Sequence, residues 1–335
     1  MNPTNRRIRQ IDTLRGFGIF MVVFGHSKTI QPVDITQIYI LSFIHDFFWN
    51  YNMYVFFFVA GYCLKPERIE SFSQYLHFVK KKFIHLMIPY YIFNLIDMVP
   101  RALFSNAVNK KRSIPESIND ILFSGGVYWF LMALFFIFIT YQLYYLLFGK
   151  KNYSIYILTA LIVGLAVSDS IAGIDFLVIN EATYYMLAFH LGTLLYRIGF
   201  KFQYNKIKKS LLPIIFVISF VLCILCTFIT RNPEYIRYRA FATIIAIIGL
   251  VLSITFCENT FVDKVFSRFG PYSLQMYLFN SMCIFVTRNL LPIVFHIYNP
   301  VIIFIANFSV AFFIPYFFAK HFFGKYKITK LMVGM

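Results

Sequence analysis

The residues of this chain best suited to chemistry stand near its start, in the run Ile11-Asp12-Thr13-Leu14-Arg15-Gly16-Phe17-Gly18-Ile19-Phe20-Met21-Val22-Val23-Phe24-Gly25-His26. Three ionisable side chains, Asp12, Arg15 and His26, interrupt an otherwise apolar stretch. Charged groups are costly in lipid, so within a membrane helix they face a bundle interior or a water-filled cavity. Arg15 and His26 are eleven positions apart, which on a helix is about 1,100° of rotation, or three turns plus about 20°, and a rise of about 16 Å. Both side chains therefore fall on nearly one face. Asp12, three positions before Arg15, is close enough to pair with it.

A guanidinium presents a planar fork of donors that suits phosphate, and a neutral imidazole can take a proton from a hydroxyl. One reading is a long phosphate-bearing cofactor lying along the helix, held by Arg15 and meeting His26 with its reactive end. The other is structural: an Asp12–Arg15 pair that anchors the helix, with His26 hydrogen-bonded to a neighbouring helix. The spacing serves both.

Such a helix needs partners in a membrane, and the composition supplies them. Of the 335 residues 59% are hydrophobic and 13% charged, with a mean hydropathy of +0.69, far from a soluble mixture. The length allows about ten helices of about 20 residues with short links, leaving no room for a separate soluble domain. The expected fold is an all-α integral membrane protein, residues 1–335 forming one transmembrane domain. A net charge of +17 would suggest nucleic acid in a soluble protein. Here the basic residues cluster between apolar runs, as in cytoplasmic loops that face anionic lipid, and no nucleic-acid partner is expected. Cys223 and Cys226 form a lone C-x-x-C among apolar residues with no second pair, so no metal site is expected. The first apolar run carries Asp12, Arg15 and His26, unlike a cleaved signal peptide, and is expected to stay as a membrane helix.

Apolar length and basic flanks place ten spans: Ile11 to about Ile30, a second centred on Met53 to Leu64, then Phe83–Val99, Val127–Phe148, Ser154–Val167, Ala182–Tyr196, Leu211–Thr230, Phe241–Phe256, Ser273–Leu290 and Val301–Phe318. Both termini then lie in the cytoplasm. Pro89 predicts a kink in the third span. Two groups, Arg101, Lys110, Lys111 and Arg112, and Arg231, Arg237 and Arg239, fall on the outer side against the positive-inside pattern. Either the topology differs there or these residues serve an anionic substrate.

The stretch Asp12-Thr13-Leu14-Arg15-Gly16 followed by Gly25-His26 resembles the opening of the membrane acyltransferase family 3, especially its fucose O-acetyltransferase-like branch. Further likenesses follow in order: Phe56-Phe57-Phe58-Val59-Ala60-Gly61-Tyr62, the basic run into Pro89-Tyr90, Trp129-Phe130-Leu131, and Ser273-Leu274-Gln275-Met276-Tyr277-Leu278. The resemblance covers nearly the whole chain. It implies a bundle of about ten helices, an acyl-coenzyme A donor, here expected to be acetyl-coenzyme A, an acceptor such as a surface polysaccharide, lipopolysaccharide or peptidoglycan sugar, and functional roles for Arg15 and His26. Where the family has histidines this chain has Asn52 and Asn280; Ala60 replaces a serine, and Lys82 and His85 stand where two arginines are expected.

With the resemblance in hand, Lys81, Lys82 and His85 are candidates to bind coenzyme A phosphates beside Arg15, or else interfacial anchors. Trp129 would stack on a sugar or adenine, or pack in the core, and Asn52 and Asn280 are candidate substrate contacts. Glu181 and His190 could form a proton relay or a buried polar pair. The expected activity is acetyl transfer to a sugar hydroxyl in a bacterial cell membrane, with His26 as general base or as a covalent acetyl carrier. The alternative is a polysaccharide transporter in which the first-span charges line a path; a glycan polymerase is a third.

Overall fold

A bilayer offers no water to an unpaired peptide group, and a helix satisfies its backbone within one segment. The computed structural model of the chain describes residues 8–30, 32–103, 113–149, 151, 153–167, 176–200, 212–231, 239–323 and 325–334, and among these the regular elements are all helical. They run α1 (Arg9–His26), α2 (Tyr39–Cys63), α3 (Phe72–Lys82), α4 (Ile88–Leu103), α5 (Ile114–Asn119), α6 (Trp129–Phe148), α7 (Ser154–Val167), α8 (Ile179–Arg197), α9 (Leu212–Arg231), α10 (Arg239–Phe256), α11 (Phe261–Phe269), α12 (Ser273–Phe295), α13 (Pro300–Phe318) and α14 (Lys327–Met332).

Among the described residues four stretches, Phe72–Pro100, Ile114–Phe148, Phe261–Phe295 and Pro300–Phe323, are long and apolar enough to cross a membrane, and Ser154–Ala166, Val217–Ile229 and Ile244–Ile254 are shorter apolar helices. On α13 the exposed Ile302, Ile305, Phe313 and Phe317 make an apolar outer surface suited to lipid tails. Lys110, Lys111, Arg112 and Arg237, from the two basic groups that break the charge pattern, lie outside the described residues.

The apolar runs coincide with helices, and α7 matches the expected Ser154–Val167 end to end. The second span differs most. Instead of centring on Met53 to Leu64, α2 begins at Tyr39 and runs for 25 residues, because His45, Asp46, Asn50 and Asn52 dilute hydropathy without breaking the backbone ladder. At Pro89 the helix does not stop. A wide turn at Phe83–Met87, in which the Ile88 N–H donates to the Phe83 carbonyl, joins α3 to α4. Proline has no N–H to give and its ring crowds the carbonyl one turn back, and a widened turn gives that carbonyl room.

Helix α1 is enclosed by α2, α11 and α12; α2 also lies along α8, while α9 pairs with α10 and α12 with α13. Glycines allow the closest crossings. Gly61 of α2 faces the Phe189 carbonyl of α8, and Gly192 of α8 faces the Phe58 carbonyl of α2, each too near for a Cβ. Gly16 meets the Phe266 carbonyl of α11 and Gly270 meets that of Asp12 in the same way. Small residues let helix backbones approach and pack where lipid supplies no hydrophobic drive. The nine-residue α11 is too short to span. Its Asp263, 2% exposed, accepts from Arg9 Nε at 3.0 Å and from the Thr13 hydroxyl at 2.5 Å, fastening the start of α1.

Residues 325–334 fold back on the bundle. Val333 is buried, its carbonyl accepts from Gln275 Nε2 at 3.1 Å, and Gly334, at φ +69°, rests against the His85 carbonyl.

Candidate active site

Polar groups gather at both ends of α1. At its first turns Arg15, half-buried, directs a guanidinium nitrogen to Cys63 Sγ at 4.0 Å, at the end of α2. Lys82, the last residue of α3, reaches the same place. Arg15, Lys82, Lys65 and Asp12 all stand within Coulombic reach of the Cys63 thiol, and Arg15 and Lys81 within reach of Lys82. The Lys82 ammonium lies 3.4 Å from the centroid of the Phe138 ring and 5.4 Å from that of Phe78. Ring faces attract a cation, and these two hold Lys82 near Arg15 despite the like charge. An anion placed among such cations relieves their repulsion and gains charge-assisted hydrogen bonds, which suits a phosphate.

The other residues expected here take lesser parts. His85 uses Nδ1 to donate to the Lys81 carbonyl at 2.6 Å; a carbonyl only accepts, so that nitrogen carries the hydrogen. Lys81 is exposed. Asp12 is buried with its backbone against Gly270, and an ion pair at this end of the helix is formed by Arg9 with Asp263.

At the far end of α1 the side chain of His26 is exposed and makes no hydrogen bond among the described residues. Its ring meets Trp49 of α2 edge-on, at 5.3 Å between centroids and 79° between planes, and lies within Coulombic reach of His45. One turn before Trp49, His45 stacks on the indole at 5.4 Å and 20°. His45 Nδ1 is 2.8 Å from Asp46 Oδ1, and Lys28 Nζ is 3.4 Å from that nitrogen and 3.8 Å from that oxygen. Gly25 admits the indole: a Cβ there would stand 2.9 Å from a Trp49 ring carbon and 3.8 Å from Asn52 Nδ2. Asn52 is buried and accepts from the Met53 N–H at 2.6 Å.

The structure thus gathers Arg15 with Lys82, and His26 with the neighbourhood of Asn52. Trp129 belongs to an aromatic column within the bundle, and Asn280 is buried on α12. Trp129 stacks on Tyr185 at 5.4 Å, and Tyr185 in turn on Phe57 at 4.7 Å. Asn280 donates to the Tyr277 carbonyl at 2.6 Å and leaves its Oδ1 buried without a partner among the described residues. His190 is a satisfied core histidine, with the Tyr141 hydroxyl 3.1 Å from Nδ1 and the Thr159 hydroxyl 2.8 Å from Nε2. Glu181, nine positions earlier, lies about half a turn around the helix from it. Among the described residues no group of His, Cys, Asp and Glu gathers to hold a metal ion.

Sequence reasoning missed Lys28, His45, Asp46 and Trp49. Lys28 fell at the end of the expected first span; for the other three the signal was the spacing of His45 and Trp49, four apart and therefore neighbours on one helical face, hidden by starting the second span too late.

The family profile for the acyltransferase domain of acyltransferase family 3 matches residues 8–320, which include both ends of α1 and every candidate residue named above. No curated protein and no solved structure matches the chain. The match runs over nearly the whole length, from the start of α1 through α13, and on that extent the chain belongs to acyltransferase family 3 and is a membrane acyltransferase.

Proposed function

We propose that this acyltransferase moves an acetyl group from acetyl-coenzyme A to a hydroxyl of a cell-surface carbohydrate, within the fucose O-acetyltransferase-like branch of its family and in a bacterial cell membrane. The observation that carries the proposal is the disposition of α1, with Arg15 and Lys82 converging at one end and an unbonded His26 at the other. In this reading the donor's phosphates sit at Arg15 and Lys82, with Lys81 and His85 at the rim, and the thioester is presented near His26.

His26 takes the proton of the acceptor hydroxyl as its oxygen attacks the thioester carbonyl. The new ester C–O bond forms, the C–S bond breaks, and the coenzyme A thiolate leaves and takes the proton back from the imidazolium. A covalent acetyl-histidine is the second form of the same chemistry. Asn52 belongs to the acceptor side in this scheme, while Trp129 and Asn280 line the bundle beyond it. The same reading takes ten spans with both termini cytoplasmic, which puts the Arg15 end of α1 on the side where acetyl-coenzyme A is made.

The test is mass spectrometry of surface glycans from cells with the intact gene, without it, and with His26→Ala. Mass increments of one acetyl group, present with the intact gene and reduced by about 10²–10⁴-fold in the rate of their appearance with His26→Ala, support the proposal. Unchanged glycan mass with glycan missing from the surface would overturn it in favour of transport.

A further inference from the structure

The geometry points to an acceptor subsite built on Trp49, in which the indole is the platform for a sugar ring and Lys28, His45 and Asp46 hold its hydroxyls. This rests on the acetyl-transfer reading of His26, and it assigns the recognition of the acceptor to a residue that no motif of the chain singled out.

Three observations carry it. Trp49 is 41% exposed, although it is a large aromatic on a helix whose following residues, Asn50 to Val55, are all buried. The indole is fixed in place: Gly25 lets α1 press on its benzo edge, His45 stacks on it at 5.4 Å and His26 meets it edge-on at 5.3 Å. Rigid aromatic area with an open portion is what the apolar face of a pyranose ring binds.

The polar groups beside it match a neutral polyol better than an ion. Lys28 and Asp46 are 3.8 Å apart, so their charges offset one another. Together they offer ammonium donors and carboxylate acceptors, and His45, 2.8 Å from Asp46, adds a ring nitrogen. A hydroxyl both donates and accepts, so vicinal hydroxyls can bridge such a pair. An adenine ring also stacks on indole, but the cations suited to its phosphates are at Arg15 and Lys82, about 16 Å along the helix. His26 borders the same indole, at 5.3 Å between centroids, which puts a base beside a sugar seated there.

The chain has two tryptophans, which makes the test direct. In a Trp129→Phe protein, purified in detergent, Trp49 is the only indole, and phenylalanine can keep the stack on Tyr185. The probe is the glycan released from the surface of the producing cell and chemically stripped of its O-acetyl groups. Saturable quenching of Trp49 fluorescence by this glycan is expected, with no saturable quenching in a Trp49→Phe protein where Trp129 reports. By calorimetry Trp49→Leu is expected to bind the glycan about tenfold more weakly, and Asp46→Asn to weaken it in a protein that keeps the indole, while coenzyme A binding is unchanged in both. Glycan affinity unaffected by Trp49→Leu, or quenching of Trp49 by coenzyme A and not by glycan, would overturn the subsite. If the intact protein binds glycan at Trp49 but membranes containing it transfer no acetyl group from acetyl-coenzyme A, the acetyl-transfer reading falls and the sugar platform stands.

Discussion

Replacing Gly16 by alanine tests how far the close contact between α1 and α11 holds the bundle together. A Cβ at Gly16 would lie 1.9 Å from the Phe266 carbonyl oxygen and 2.7 Å from its carbon, whereas ordinary contact begins near 3.4 Å. Backbone, not a flexible side chain, occupies the space. Helix α11 must therefore retreat by the difference, about 1.5 Å, and a move of that size carries Asp263 away from Arg9 and Thr13, which it now meets at 3.0 and 2.5 Å. Overpacking of this kind costs about 1–3 kcal/mol. Stranding a buried carboxylate from its donors adds about 1–3 kcal/mol, so the expected loss is about 2–6 kcal/mol. Denaturant unfolding of the purified protein in mixed micelles, followed by circular dichroism, measures it. Gly164→Ala is the control, since it lies on the exposed side of α7 with nothing within 4 Å, and alanine there should leave stability unchanged or raise it by up to about 1 kcal/mol. A Gly16→Ala protein within about 0.5 kcal/mol of the parent, below the smallest cost in that sum, would refute the argument.

Asp263→Ala removes the acceptor for both Arg9 and Thr13 and should cost about 2–4 kcal/mol in the same unfolding measurement, with Asp263→Asn recovering part of it. At the proposed donor site, Arg15→Lys keeps the charge but loses the planar fork. It should raise KM for acetyl-coenzyme A about tenfold with kcat little changed, and Lys82→Met should raise it in the same direction and flatten its dependence on salt. Steady-state transfer kinetics at two ionic strengths check both, and an effect on kcat alone would remove these residues from the donor site.

The helices were legible because lipid demands long apolar runs, and a run such as Ser154–Val167 has few other ways to satisfy its backbone. Arg15 and His26 were legible for the opposite reason, as charge and polarity where lipid tolerates little. The start of α2 was obscure because hydropathy averages over residues and cannot tell a polar loop from a helix carrying polar residues on one face. His45, Asp46 and Trp49 fell into that gap. The short α11 was missed because nine residues give too little apolar length, and its role rests on Asp263 meeting residues some 250 positions earlier in the chain, which no local pattern encodes. Lys82 was named from its place before Pro89, yet its approach to Arg15 depends on the rings of Phe78 and Phe138, a matter of how α3 and α6 pack.

The return of residues 325–334 ties two distant parts of the sequence together. Gly334 closes on the carbonyl of His85, and Val333 on Gln275, so the turn that precedes Pro89 waits for residues made some 250 positions later before these contacts form. At about 5–20 residues per second of synthesis, that interval is roughly ten to fifty seconds, long enough for every intervening helix to enter the bilayer first. Helix α14 and the two residues after it then act as a latch on an assembled bundle rather than as a seed for it. Because they lie beyond residue 320, where the family match ends, a chain cut at that boundary would keep every candidate catalytic residue and lack the piece that closes over the start of α4.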